Sequence, residues 1–566
     1  MATFTFDGTA SQSVAFDPTA DQLVFNLPAA GIANVLQDAT SVTFIAVSGA
    51  VLTLEGVQFA DLGDSNFIAG TGSDIVVDFG TTGNDPALLG NIVVGQSGND
   101  GLTASSDGAL LLGNQGTDVL NSTGFDNVRM YGGQNADVIN FLSSATADDA
   151  SLLVGGLGSD TINVGYVAAD GGFVPGTAYA GNITVYGGNE SNDPADDSDV
   201  INVNLAADGA ATVYGNGGDD VITVVGGGTA DIFGGQGNDT VVAELNGGSV
   251  VGGLGSDTIT VNTLGDDASV TVVGGNGTND PADGADTITV NFGSAGDAAT
   301  VFGNGGDDVL GFTGTGQVTA YGGQGNDIIA GAAEDGTVDG SIAASITDGS
   351  QILGGLGIDT INVSVDGAGA TPEVGANATI WGGNGTTDPA DGADIIDVAI
   401  ATGNTATIYG NGGDDVITVT GAGNASVFGG QGDDTINVSG SGQYALTGGQ
   451  GADTFDFSGA ATVADDATAL SSVTDFAFGD DTIVFGTGGA ATSVVTVAGG
   501  EASSAADIFG LANGGAGVVS LVTVGGDLAG TYAVFGEQAI NITGFTGAVD
   551  AASFQIGTPP TAELLG

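Results

Sequence analysis

Residues Gly215–Thr260 read GNGGDDVITVVGGGTADIFGGQGNDTVVAELNGGSVVGGLGSDTIT, and this stretch decides the fold. Three nonapeptides open at Gly215, Gly234 and Gly252, about nineteen residues apart. Each has the form Gly-(Gly/Asn)-x-Gly-x-Asp-x-(apolar). The glycines allow a turn with positive φ and inward-facing carbonyls. The Asp stands just before a β-branched run, and the apolar residue two positions later points into a core. Between cassettes lie a second apolar run and a plain turn, as in VITVV, GGGTA and DIF. One coil therefore carries two strands, one acidic turn and one ordinary turn. Stacked coils of this kind make a parallel solenoid, with the acidic turns along a single edge.

Further copies read GGLGSDTIN from Gly155, GGQGNDIIA from Gly322, GGLGIDTIN from Gly354 and GGQGDDTIN from Gly429. GNQGTDVLN from Gly113 and GNGGDDVIT from Gly410 carry Asn second. About seventeen copies, some imperfect, cover roughly two-thirds of the chain. Gly-Asp-rich loops are also ordinary turns, but an ordered stack of this length is not explained by turn chemistry alone. Backbone carbonyls and short Asp carboxylates are the oxygen donors that calcium takes, six to eight at about 2.3–2.6 Å.

On these cassettes the chain resembles the RTX (hemolysin-type calcium-binding) family. The resemblance implies an all-β fold: a right-handed parallel β-roll or β-helix solenoid with calcium at its turns, flanked by small β-rich domains. It assigns multiple Ca2+ ions to Asp74, Asp100, Asp118, Asp137, Asp160, Asp199, Asp220, Asp239, Asp257, Asp286, Asp308, Asp327, Asp359, Asp394, Asp415, Asp434 and Asp453. Carbonyls of neighbouring glycines would complete each site. In the commonest RTX rolls the nonapeptide recurs every nine residues and calcium lines both edges. The nineteen-residue spacing departs from that pattern and puts a two-sided calcium ladder in doubt.

The net charge is −67, with Arg129 the single basic residue and no His. A chain this acidic repels itself, yet 41% of its residues are hydrophobic and a core is available. Seventeen calcium ions would offset about half of the charge, so folding is expected to follow calcium. Nucleic acid is excluded as an electrostatic partner, and anionic membranes are disfavoured. There is no Cys and hence no disulfide framework. No apolar stretch reaches the length of a membrane span. The start, MATFTFDGTASQSVAFDPTA, is not a cleavable secretory signal. Cytosolic calcium is too scarce for weak sites, so the expectation is an extracellular or cell-surface protein. By its resemblance, type I secretion machinery would export it.

Residues 1–65 lack the cassette and read as a small β-rich domain: a cap, an anchor or an assembly contact. Residues 66–458 form the roll, with degenerate copies up to 112. Four cassette types cycle with a period of about one hundred residues. The type opening at Gly187, Gly274 and Gly382 carries inserts: GGNESNDPADDSD, GGNGTNDPADGAD and GGNGTTDPADGAD. Three carboxylates such as Asp280, Asp283 and Asp286 could hold an extra calcium or make a lattice contact; the alternative is a solvated Asx-Pro turn. Residues 459–566 read as a β-rich C-terminal domain. There SSVTDFAFGDDTIVFG is similar to the segment closing the roll in serralysin-type proteins, with Asp475, Asp480 and Asp481 at its acidic positions. The resemblance places a type I secretion signal in this region.

Catalysis is not expected. Without His, Cys or Lys there is no imidazole base, thiol or amine nucleophile, and no Ser-His-Asp site. The cassette aspartates would be taken up by calcium. Tyr186, Tyr214, Phe233, Phe302, Tyr321, Trp381, Tyr409 and Phe428 stand just before a cassette glycine. A structural aromatic ladder is the first reading, and sugar stacking the second. A flat Thr/Asn ladder for ice is not read at the turn positions. The expected function is a calcium-binding structural protein, resembling S-layer or filament proteins of Gram-negative bacteria, that assembles with itself. The alternative is an RTX adhesin or polysaccharide-binding module that reaches cell-surface polysaccharide through calcium.

Overall fold

The computed structural model describes the chain apart from residues 1, 8, 18, 26–31, 38–39, 47, 58–66, 69–74, 78–87, 91, 96–97, 143–149, 170–171, 191–195, 277–282, 334–337, 339, 342, 367–374, 386–390, 461–469, 487–488, 492, 513–517, 547 and 557–566. The fold is all-β, a parallel β-roll. The chain falls into two compact units, Met1–Leu264 and Gly265–Gly566.

In the first unit, Ala210–Gly217, Thr229–Gln236 and Gly247–Leu254 pair in parallel. So do Val221–Val225, Thr240–Leu245 and Thr258–Thr263. The two sets alternate along the chain, so each coil supplies one strand to each sheet. Register is set by burial, because a one-residue slip would turn every apolar side chain outward. Val213, Ile232 and Val250 stack in one column, Ile222, Val241 and Ile259 in another, and all are fully buried. Each contributes roughly 1.5–3 kcal/mol by leaving water. A lone coil has too few such residues to fold, which is why the repeats must stack.

The second unit repeats the scheme. Thr405–Gly412, Asn424–Gln431 and Tyr444–Gln450 pair in one sheet, and Val416–Gly421, Thr435–Gly440 and Thr454–Ala460 in the other.

Outward strand positions form columns too. Tyr186, Tyr214 and Phe233 stack at 4.7 and 5.0 Å with planes within 9°. Phe302 and Tyr321 stack at 4.8 Å, and Trp381, Tyr409 and Phe428 at 5.8 and 4.9 Å. The aromatic ladder read from the sequence is present in these coils. An asparagine ladder was not read there. Asn140, Asn163 and Asn202 each donate Nδ2 to the Oδ1 of the Asn one coil before, at 3.0–3.1 Å.

At the N-terminal end, Thr3–Phe6 and Gln22–Phe25 pair in parallel, while Ser41–Ala46 runs antiparallel to Val51–Glu55. Phe6, Phe16, Phe44 and Leu52 share one buried cluster with Ile92, Val94 and Leu110 of the first coils. At the other end, Ser472–Val473 and Thr482–Val484 continue the two sheets. Gln538–Ile542 and Phe554–Ile556 return to add parallel strands beyond them.

Between these lies the one α-helix among the described residues, Ala505–Leu511. It departs from the strands expected for this region. The Asp507 carboxylate accepts the Ser504 N–H at 3.0 Å, a capping-box bond, and Ile508 packs against Val522 and Tyr532.

Candidate metal centre

The cassette aspartates come together as a buried column. In the first unit the Asp100 backbone N–H donates to Oδ1 of Asp118. The bond repeats coil by coil through Asp137, Asp160, Asp199, Asp220 and Asp239 to Asp257, at 2.7–2.8 Å. In the second unit the same relay runs from Asp286 through Asp308, Asp327, Asp359, Asp394, Asp415 and Asp434 to Asp453, at 2.8–3.0 Å. All of these aspartates are at most 3% exposed. Asp74 lies outside the described residues.

The preceding cassette position makes a second relay of opposite sense. Asp219, Asp307 and Asp414 accept the N–H of the matching residue one coil later, at 2.7–2.8 Å. Neighbouring turns are therefore zipped in both directions, with the outer relay exposed and the inner one buried.

The inner relay uses only one oxygen of each carboxylate. In Asp118, Asp137, Asp160, Asp199, Asp220 and Asp239, and in Asp308, Asp327, Asp359, Asp394, Asp415 and Asp434, Oδ2 is buried without a hydrogen-bond donor. At the Gly234 turn, Asp239 Oδ2 and the carbonyl oxygen of Gly252 both close on the space above the Gly234 Cα. The same pairing of carboxylate and next-coil carbonyl recurs above Gly113, Gly132, Gly155, Gly303, Gly354 and Gly410. Two acceptor oxygens that converge without a donor call for a proton or a cation between them.

Burial drives these carboxyls upward in pKa, against the lowering by the relay bond and with help from like charges in adjacent coils. Asp239 is raised to about 6, Asp308 to about 7, Asp220 to about 8, and Asp199 and Asp394 to about 9. Keeping such a buried column ionised needs counter-charge.

The donor set is hard oxygen throughout, which suits Ca2+ and not a soft metal. Orphaned buried oxygens and a glycine cradle that a Cβ would fill both fit a cation. Among the described residues no group of three acidic side chains gathers at one point. An ion here would therefore rest on one or two carboxylates and backbone carbonyls.

Some partners escaped the sequence reading. Asp481 closes the relay: its Oδ1 accepts the Asp453 N–H at 3.0 Å and its Oδ2 the Ala477 N–H at 2.7 Å. Asp475 accepts the N–H groups of Gly448 and Gly449, capping the last turn. In the sequence both stand only as acidic positions of a closing motif. Among the described residues no helix is long and apolar enough to cross a membrane. The chain matches no family model, no curated protein and no solved structure.

The cradle makes a direct prediction. A Cβ at Gly234 would overlap Asp239 Oδ2 and the Gly252 carbonyl, whereas at Gly124 it meets nothing within 4 Å. Gly234→Ala is expected to destabilise the roll by about 3 kcal/mol through overpacking. Gly124→Ala should cost about 1–2 kcal/mol from its positive φ alone. Thermal unfolding in millimolar calcium, followed by circular dichroism, checks this; equal losses at the two sites would remove the cradle argument.

Proposed function

We propose that this chain is a secreted calcium-binding structural protein of the RTX type, which assembles into a surface layer or filament when calcium fills its turns. The observation that carries the reading is the column of buried aspartates, in twelve of which one oxygen accepts the relay bond and the other lacks a donor. A chain of net charge −67 needs counter-ions before copies can approach one another. Calcium supplies them and rigidifies the same coils. Exposed apolar residues directly after the relay aspartates, such as Val221 and Ile395, offer contact surface once repulsion is relieved. With no His, Cys or Lys, the role is structural and not catalytic.

Negative-stain electron microscopy with millimolar calcium, and again in chelator, tests the assembly step. Sheets, tubes or filaments are expected only with calcium. Monodisperse particles in both conditions would overturn assembly and favour the second reading, a glycan-binding adhesin module. That reading draws on a groove of about 280 Å³ where Leu353 follows the stacked Phe302–Tyr321 pair, with Gln324 and Asn384 also lining it. A glycan array on the calcium-loaded protein would then decide it.

A further inference from the structure

Three coils build their acidic turn differently. In ordinary coils the residue after the first cassette glycine has positive φ, as in Gly235 at 124° and Asn216 at 84°. Gly188, Gly275 and Gly383 do not. In these coils the chain comes back to the turn at Asp196, Asp283 and Asp391, three residues before the relay aspartates Asp199, Asp286 and Asp394. The returning aspartates sit in polar, acidic inserts, yet they are only 8–9% exposed.

Each has the same setting. Asp283 Oδ1 accepts the Gly284 N–H, and Asp391 Oδ1 the Gly392 N–H, at 3.0 Å; Asp196 Oδ1 accepts the Asp197 N–H at 3.0 Å. Oδ2 turns inward in all three, over the second cassette glycine, where a Cβ would overlap it. Oδ2 of the relay aspartate lies over the first glycine of the same coil. The two carboxylates of each i, i+3 pair thus place one oxygen over each of two successive glycines. Asp199 and Asp394, each 1% exposed, have no donor for that Oδ2.

The next coil adds a carboxamide. Nδ2 of Asn216, Asn304 and Asn411 lies 3.0, 3.1 and 2.8 Å from the place a Cβ of the second glycine would take. In Asn304 and Asn411 that buried nitrogen has no acceptor. Turning the amide over presents Oδ1 instead, since the two orientations are assigned from the hydrogen-bond network. In the coils facing Asn304 and Asn411 the turn then offers a third oxygen beside the two carboxylates, whereas Asn216 keeps its Nδ2 on the Asn189 carbonyl at 3.0 Å.

We propose that each insert coil holds a divalent cation between paired carboxylates, Asp196 with Asp199, Asp283 with Asp286 and Asp391 with Asp394, and that these three ions bind more tightly than those of ordinary coils. The inference rests on the calcium reading above and adds a second class of site to it. Ligand charge sets calcium affinity in oxygen sites, and a pair of carboxylates neutralises the ion where an ordinary coil supplies one. The charge of Asp196 also bears on Asp160 and Asp220 in adjacent coils, and that of Asp391 on Asp359 and Asp415. An ion in an insert coil therefore eases its neighbours. Filling starts at three points spaced along the roll and spreads from them.

Calcium titration of the calcium-free full chain by isothermal calorimetry tests this. The expected isotherm has three ions at least about tenfold tighter than the rest. D196N/D283N/D391N, which keeps the whole relay, should lose the tight phase and keep the weak one. D220N/D308N/D415N, one coil further on, should keep the tight phase. Each single insert variant should lower the tight stoichiometry by one, which keeps the test readable if the triple variant does not fold. A single class of sites in the wild type, or three tight ions surviving in the insert variant, would overturn the inference and leave calcium binding standing. No heat of calcium binding in the wild type would overturn the calcium reading itself.

Discussion

Stripped of calcium at pH 7.5, the chain is expected to lose most of its far-UV β signal and expand towards a radius of gyration of about 90 Å, the size of an unfolded chain of this length. Millimolar calcium should restore the β signal. The cause is electrostatic. Twelve aspartates bury an oxygen with no donor, on a chain of net charge −67. Ionising Asp239 in the fold, where its carboxyl is raised to about 6, costs roughly 3 kcal/mol. Several such costs exceed the 5–15 kcal/mol by which domains are normally stable. Circular dichroism and small-angle scattering with and without chelator measure this. An undiminished β signal in excess chelator would show that the relay alone holds the roll and that calcium is not its counter-charge.

The second large effect is that acid should stand in for calcium. The relay carboxyls are raised in the fold from 3.8 to between about 6 (Asp239) and about 9 (Asp199, Asp394). A carboxyl with a raised folded pKa favours the fold while protonated. Its contribution is full below 3.8, falls by pH 5 to roughly half for Asp239 and to about three-quarters for Asp199, and is lost as pH rises through the folded pKa of about 6 and about 9. Calcium-free protein should therefore be folded at pH 5, just above its isoelectric point of about 4.1, and unfold on titration to pH 9. Easing of the overall charge acts in the same direction. Calcium affinity should run the opposite way, rising with pH as each ion displaces fewer protons. Circular dichroism of metal-free protein across pH 5–9 reads the first effect, and calcium titrations at pH 6 and pH 8 read the second. Calcium-free protein that gains structure as pH rises would show that the relay carboxyls are not the groups in control.

Much of this architecture is legible in the chain because it is local and repeated. The coil near Gly234 announces its two strands by β-branched runs, its tight turn by glycines, and its acidic edge by one Asp per nineteen residues or so. The aromatic stack follows in the same way, since Tyr409 and Phe428 hold equivalent places in adjacent coils. Contacts across the stack were less visible. The Asp220 N–H meets Oδ1 of Asp239, and the Asn238 N–H meets Asp219, only because the coils lie in register. No motif within one coil states which oxygen is used and which is left over. Asp481 looked like part of a closing motif, and its place as the last relay acceptor depends on one further coil. Asp196 and Asp391 sit in polar inserts whose sequence allows an extra cation, a lattice contact or a solvated turn, and only the fold shows that both are buried.

The repeat by itself determined an all-β roll with its acidic turns on one edge, because periodicity and turn chemistry are properties of each short segment. Tertiary structure alone decided which carboxylate oxygens are buried without a donor, and which inserts turn an acidic side chain inward. Those outcomes depend on what the neighbouring coil presents at 2.7–3.0 Å, and no single segment carries that information.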